Sequence, residues 1–175
     1  MRIFLPLLCL MLAFVAGHAQ TTAVMQSPTV AKSSMHTLTL RLRPGQDLRQ
    51  QLMALVKAEG IKAGAMITCV GSLTQVTLRL ANQEGPTEYR GHFEIVSLVG
   101  TLAESGSHLH LSVADSTGRT IGGHLLDGNL IYTTAEVVVG VLGEVEFRRE
   151  EDLTFGYKEL TVRPKVPRKA GKRRP

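Results

Sequence analysis

With 175 residues, 43% of them apolar, 20% charged and none a tryptophan, the chain is long enough for one ordinary hydrophobic core and too short for two. Its formal charge of +5 belongs to the ends: residues 163–175 hold seven basic side chains and no acidic one, whereas residues 20–162 hold 12 basic against 15 acidic, a net −3. A mildly acidic body lacks the positive face that nucleic-acid binding requires, which excludes the simplest reading of a basic protein.

Residues 1–19 stand apart from the core. Arg2 is followed by an apolar run from Ile3 to Ala16 and then by the small residues Gly17 and Ala19, the pattern of a secretory signal peptide cleaved after Ala19. The run is shorter than the roughly 20 residues of a membrane-spanning helix, which weighs against an uncleaved anchor. Cys9 has Leu7 and Leu8 before it, not the small residues of a lipoprotein site. The expectation is a secreted or periplasmic protein. Cleavage leaves Cys69 as the sole thiol, so the mature chain can form no intramolecular disulfide. Within Ala65-Met66-Ile67-Thr68-Cys69-Val70 that thiol reads as buried and inert.

Residues 20–35 are polar and rich in Ser and Thr without a hydrophobic period, and read as a linker. From His36 the alternation Thr37-Leu38-Thr39-Leu40-Arg41-Leu42 predicts a half-buried strand that Pro44-Gly45 ends. Leu48, Leu52, Leu55 and Val56 then recur at helical spacing, with Gly60 placed to close the helix in a left-handed conformation. Beyond it come short β-type runs at residues 64–70, 74–80, 89–100, 107–114, 119–126, 129–133, 136–148 and 157–162. The fold class is therefore α+β, a mostly antiparallel β-sheet with one long helix in a single domain over residues 36–162. The run Val137-Val138-Val139-Gly140-Val141-Leu142 is apolar on both faces and calls for cover on both sides, one of which another subunit could supply. Residues 163–175, with three prolines and a basic run, read as a disordered tail able to contact anionic surfaces.

Three of the six histidines lie in one short stretch, Ser107-His108-Leu109-His110-Leu111 through Gly122-Gly123-His124-Leu125. Spacing of i, i+2 on a strand puts His108 and His110 on one face. Asp115-Ser116-Thr117-Gly118-Arg119 fits a three-residue hairpin loop with Gly118 in the left-handed position. In that register His110 falls opposite His124, with side chains on one face about 5 Å apart. A four-residue loop would send His124 to the other face. Three neutral imidazoles with an open position suit Zn²⁺ or another divalent transition metal. Gly122 and Gly123 remove side-chain bulk beside His124, leaving room for a ligand or for close backbone approach. His92 and Glu94 share a strand face as rim groups, and Glu136 opens an apolar strand, so Glu94 and Glu136 are the candidate acids or bases if the site is catalytic.

His108-Leu109-His110-Leu111-Ser112, Gly118, Gly122-Gly123-His124-Leu125, Gly91-His92-Phe93-Glu94-Ile95 and Thr133-Thr134-Ala135-Glu136-Val137 together resemble the plants-and-prokaryotes-conserved (PPC) domain from about His36 to Val162. The resemblance implies an α+β homotrimer whose histidines bind a metal, usually zinc. Its plant members join the domain to AT-hooks. Here the tail offers Lys172-Arg173-Arg174-Pro175 without the glycine an AT-hook places between arginines, and His92 stands where the family has an arginine. The wider fold is similar to that of acetolactate decarboxylases, which implies an enzymatic alternative by analogy. Three functions follow: a trimeric metal-binding module for a small molecule or protein partner, a zinc enzyme for a small carbonyl or ester substrate in the manner of a decarboxylase or hydrolase, and a DNA-binding protein working through its tail.

Overall fold

The computed structural model describes residues 29–154 and 156–165; the expected signal peptide, most of the expected linker and the tail beyond residue 165 lie outside the described residues. Leu38, Leu40 and Leu42 turn one way in β1 (Met35–Leu42), an edge strand whose burial rises towards Leu42. Asp47 then caps α1 (Leu48–Ala58), its carboxylate accepting from the Gln50 N–H at 3.0 Å. The expected apolar face is the buried one, with Leu48, Leu52 and Val56 inside. At the other end Gly60 takes φ +60°, and the Ile61 N–H reaches back to the Val56 carbonyl at 2.9 Å.

Seven strands follow: β2 (Gly64–Arg79), β3 (Thr87–Ala103), β4 (Gly106–Ala114), β5 (Thr120–Leu125), β6 (Leu130–Leu142), β7 (Val145–Asp152) and β8 (Tyr157–Pro164). Five of them join β1 in an antiparallel sheet of order β1-β6-β2-β3-β4-β5, and β5 returns to pair with β2 through Leu78 and Arg79. Strands β2, β3, β4 and β5 thereby close into a ring. Their inward residues, among them Val76, Leu78, Leu111, Val113 and Leu125, join the α1 leucines in one apolar core. Burial of that continuous apolar surface is the main favourable term for the fold.

Two strand boundaries differ from the sequence reading. Residues 64–70 and 74–80 form one strand, because the gap between them is an irregularity in the pairing with β6: Gly71, at φ +146°, lets β6 approach so closely that a Cβ there would stand 2.1 Å from the Thr134 carbonyl oxygen. Likewise Thr133-Thr134-Ala135 does not interrupt β6, and the break comes later, at Gly143-Glu144. There the Glu144 carboxylate accepts from the Ser33 and Ser34 hydroxyls (2.7 and 2.6 Å) and the Ser34 N–H (2.6 Å), tying the start of β1 to the β6–β7 turn.

Asn129, fully buried between β5 and β6, fixes the ring where it closes. Its side chain accepts from the Thr77 N–H (3.0 Å) and donates to the Thr77 (2.9 Å) and Leu126 (2.8 Å) carbonyls. Asp47 ties the same turn to the helix, accepting from the Gly128 N–H. The β7–β8 hairpin sits over a smaller cluster of Ala63, Ala103, Val145 and Phe147. Among the described residues no helix is long and apolar enough to cross a membrane.

Candidate metal centre

The β4–β5 hairpin has the register that its turn residues predict. Gly118 takes φ +81°, its N–H donates to the Asp115 carbonyl at 2.9 Å, and the Asp115 N–H donates to the Arg119 carbonyl at 3.0 Å. The Asp115 carboxylate also accepts from the Thr117 N–H and hydroxyl and the Arg119 N–H, holding the loop to three residues. Ala114 therefore pairs with Thr120 and His110 with His124.

His108, two residues before His110, projects on the same face, and the three rings converge. Their centroids stand 5.1 Å (His108–His110), 5.0 Å (His108–His124) and 4.4 Å (His110–His124) apart. One nitrogen of each lies within 4.8 Å of the others, and His108 Nε2 is 3.2 Å from His110 Nε2. Two nitrogens bound to a tetrahedral zinc at about 2.0–2.1 Å are about 3.3 Å apart, a spacing that His108 and His110 already have, while His124 lies within 4.8 Å of both. No Asp, Glu or Cys joins them among the described residues, which leaves a fourth position open. The donor set thus fits a divalent transition metal, with His108, His110 and His124 as the protein ligands.

Partial burial holds the His108 and His124 imidazoles below their ordinary pKa. For His108 the Arg149 guanidinium and the neighbouring His110 ring act in the same direction, while Glu159 opposes them and Arg79 adds a smaller effect. For His124 the further causes are Arg79, then His110 and His108. Both shifts favour the neutral ring, the form that ligates a metal.

Gly123 allows β5 to rest on β2, since a Cβ there would lie 2.7 Å from the Arg79 carbonyl oxygen. The glycine pair thus serves close backbone approach, and the approach places Arg79 directly opposite His124. His110 and His124 line a cavity of about 410 Å³ with Arg79, Ser97, Ser112 and Gly122. His108 and His124 face a broader recess that Arg79, Arg149, Glu84 and Glu159 also line. The Arg149 guanidinium donates to Thr101 Oγ1 at 2.8 Å, and Thr101 pairs with His108.

The other sequence candidates lie elsewhere. Glu94 is exposed and pairs with Ala114, four residues along β4 from His110, a separation of about 13 Å at strand rise. Glu136 is exposed on β6, opposite Arg41 and Val70. Neither lines the two histidine cavities of its own chain. His92 stacks on Tyr132 with centroids 4.3 Å apart. Arg79 and Arg149 carry no local signal in the sequence, Arg79 ending an apolar strand and Arg149 standing in the pair Arg148-Arg149, and nothing local reveals the β2–β5 contact or the seating of the β7–β8 hairpin.

Comparison with known proteins places these features in a family: a model of the Plants and Prokaryotes Conserved (PCC) domain matches residues 29–143. The chain belongs to the PCC domain family. Among PCC relatives, the bifunctional protein GlmU of a Synechococcus strain is 48% identical over 131 residues, 75% of this chain. The AT-hook motif nuclear-localized protein 13 of Arabidopsis thaliana is 33% identical over 137 residues, 71% of this chain. The matches span only 21% and 30% of those two proteins' lengths. A hypothetical protein from Salmonella superposes with a TM-score of 0.77 at 41% identity, covering 78% of this chain and 99% of that one. A metal-containing protein from Archaeoglobus fulgidus has a TM-score of 0.67 at 24% identity, covering 77% and 99%, and so shares the fold.

Proposed function

We propose that this PCC-domain protein is an exported, self-associating module that binds one divalent transition ion per chain, zinc first among them, and uses the open position to recognise a small ligand. The observation that carries the reading is the convergence of His108, His110 and His124 within 4.8 Å with no fourth ligating side chain among the described residues. A structural zinc site closes its coordination with four protein ligands, whereas three imidazoles leave room for an exogenous group. The test is elemental analysis of protein purified without chelator or histidine tag. About one metal ion per chain, lost in both His110→Ala and His124→Ala, is the expected result; no metal at purification and none taken up on addition would overturn it.

The openness of the site favours a second reading, a metalloenzyme for a small carbonyl or ester compound. A bound metal would supply Lewis-acid polarisation there. In that case this chain's part is to position the ligand and exclude water, and Glu84 and Glu159, which line the recess at His108 and His124, are the carboxylates nearest to hand for moving a proton among the described residues.

Self-association is supported by the apolar residues left exposed on the sheet: Ile67, Val70, Val96, Val99 and Tyr132 each keep more than 40% of their surface. A second copy is the occupant we propose, since strands so exposed need cover. Light scattering should give a trimer, and Ile67→Lys should reduce it to smaller species; a monomeric wild type would contradict the proposal. Nucleic acid has no place in this reading, because residues 20–162 carry a net −3. Export rests on the leader pattern of residues 1–19.

A further inference from the structure

Arg79 sits directly opposite His124 across the β2–β5 pairing, and directly paired residues put their side chains on one face about 5 Å apart. It is half-buried, and among the described residues it has no carboxylate within ion-pair distance. The neighbouring Arg49 is different, being paired with Asp127 at 2.6 Å. A half-buried guanidinium without a counterion has lost part of its hydration, and a site in that condition favours an anion.

The cavity shared by Arg79, His110 and His124 shows which kind of anion fits. Its other walls are Ala81, Ser97, Leu111, Ser112 and two glycines, so apart from the histidines and Arg79 it offers two hydroxyls and otherwise apolar or backbone surface. At about 410 Å³ it can hold a small organic molecule. The broader recess on the His108 side, which Arg79 also lines, holds both signs of charge: Arg49, Arg149 and Lys158 with Glu84 and Glu159, Arg49 being paired with Asp127. In the smaller cavity Arg79 is the one arginine or lysine, and no carboxylate is among the lining residues described.

We infer that Arg79 makes the open position of the three-histidine centre selective for a small organic carboxylate, whose carboxyl group it receives while the apolar walls take the carbon body. The inference rests on the metal-site reading above and deepens it by naming the ligand class. A guanidinium offers a carboxylate two parallel N–H donors, which a lysine ammonium cannot reproduce. Ser97 and Ser112 are placed to meet a hydroxyl or carbonyl group on the same ligand.

The test uses full-length protein loaded with cobalt(II), whose visible spectrum reports changes at the metal. Lactate, its neutral amide and inorganic phosphate are titrated separately into wild type, Arg79→Gln and Arg79→Lys, with metal content measured for each. The inference expects lactate to bind wild type more tightly than the amide or phosphate does. It expects about tenfold or greater weakening in Arg79→Gln, with metal content retained. Arg79→Lys should fall between them, and serves alone if the glutamine variant does not fold. Equal lactate affinity in the metal-loaded variants, or amide binding as tight as lactate, overturns this inference and leaves the metal site standing. Phosphate binding tighter than lactate also overturns it, in favour of an inorganic oxyanion. A wild type that takes up no metal overturns both.

Discussion

Arg79 and His124 are direct partners across the β2–β5 pairing, although 45 positions separate them in the chain. The contact closes the ring of strands and sets a guanidinium beside a metal-ligand candidate in one step. Fold closure and site assembly are therefore the same event.

Gly123 is the residue on which that event turns. A methyl group there would meet the Arg79 carbonyl oxygen at 2.7 Å, whereas at Gly122 the nearest contact, the Leu111 carbonyl oxygen, is 3.1 Å away. Gly123→Ala should destabilise the protein by about 1–3 kcal/mol in urea denaturation and weaken metal uptake, by moving His124. Gly122→Ala should cost less on both measures. Equal stability of the Gly123→Ala and wild-type proteins would show that β5 is free to shift.

Asn129 holds the same closure from below. Replacing it with alanine leaves the Thr77 N–H and the Thr77 and Leu126 carbonyls without their side-chain partner. A loss of about 2–4 kcal/mol is expected, because buried polar groups left unpaired carry their full desolvation cost. Chemical denaturation measures it directly, and a loss under 1 kcal/mol would mean that water replaces the side chain at about the hydrogen-bonding strength expected of a bridging molecule.

The hairpin was legible in the sequence because its information is local. Asp115 and Gly118 set the loop length, loop length sets the register, and the register puts His110 against His124. The helix was legible for the same reason, with Leu48, Leu52 and Val56 at one spacing and Gly60 at its end. The continuity of residues 64–70 with 74–80 was not legible because it depends on the approach of Thr134 from β6 at Gly71, a contact made far away in sequence. Arg79 and Arg149 were invisible because their importance comes from strands far away in sequence. Glu94 and Glu136 show the converse: both are exposed strand residues whose distance from the histidines no local pattern reveals.

Glu144 provides a test of the link between the start of β1 and the β6–β7 turn. Hydrogen bonds from Ser34 and Ser33 pull its pKa down from 4.5 to about 2. A carboxylate depressed in the folded state stabilises it above the unfolded pKa and loses that contribution as pH falls through the folded one. The group is exposed, so the effect is modest. The gap in urea midpoint between wild type and Glu144→Gln should be widest above pH 4.5 and narrow towards pH 2. A gap that stays constant over that range would rule out the ionised clamp as its source.

Cys69 should be unreactive while the protein is folded. Burial leaves 4% of its surface exposed and pushes its thiol up to about 12, so almost no thiolate exists at pH 8. In a Cys9→Ser chain, a thiol reagent should label Cys69 only after denaturant is added. Rapid labelling of the native protein would mean that β2 opens on that timescale.

The central claim is that His108, His110 and His124 together hold one metal ion, and anomalous diffraction from zinc-loaded crystals, recorded on either side of the zinc absorption edge, tests it most directly. The account predicts a single strong peak per chain at bonding distance from a nitrogen of each of the three rings, with a non-protein atom completing the coordination. A peak that engages two of the histidines and a residue elsewhere, or none at the hairpin, would contradict it.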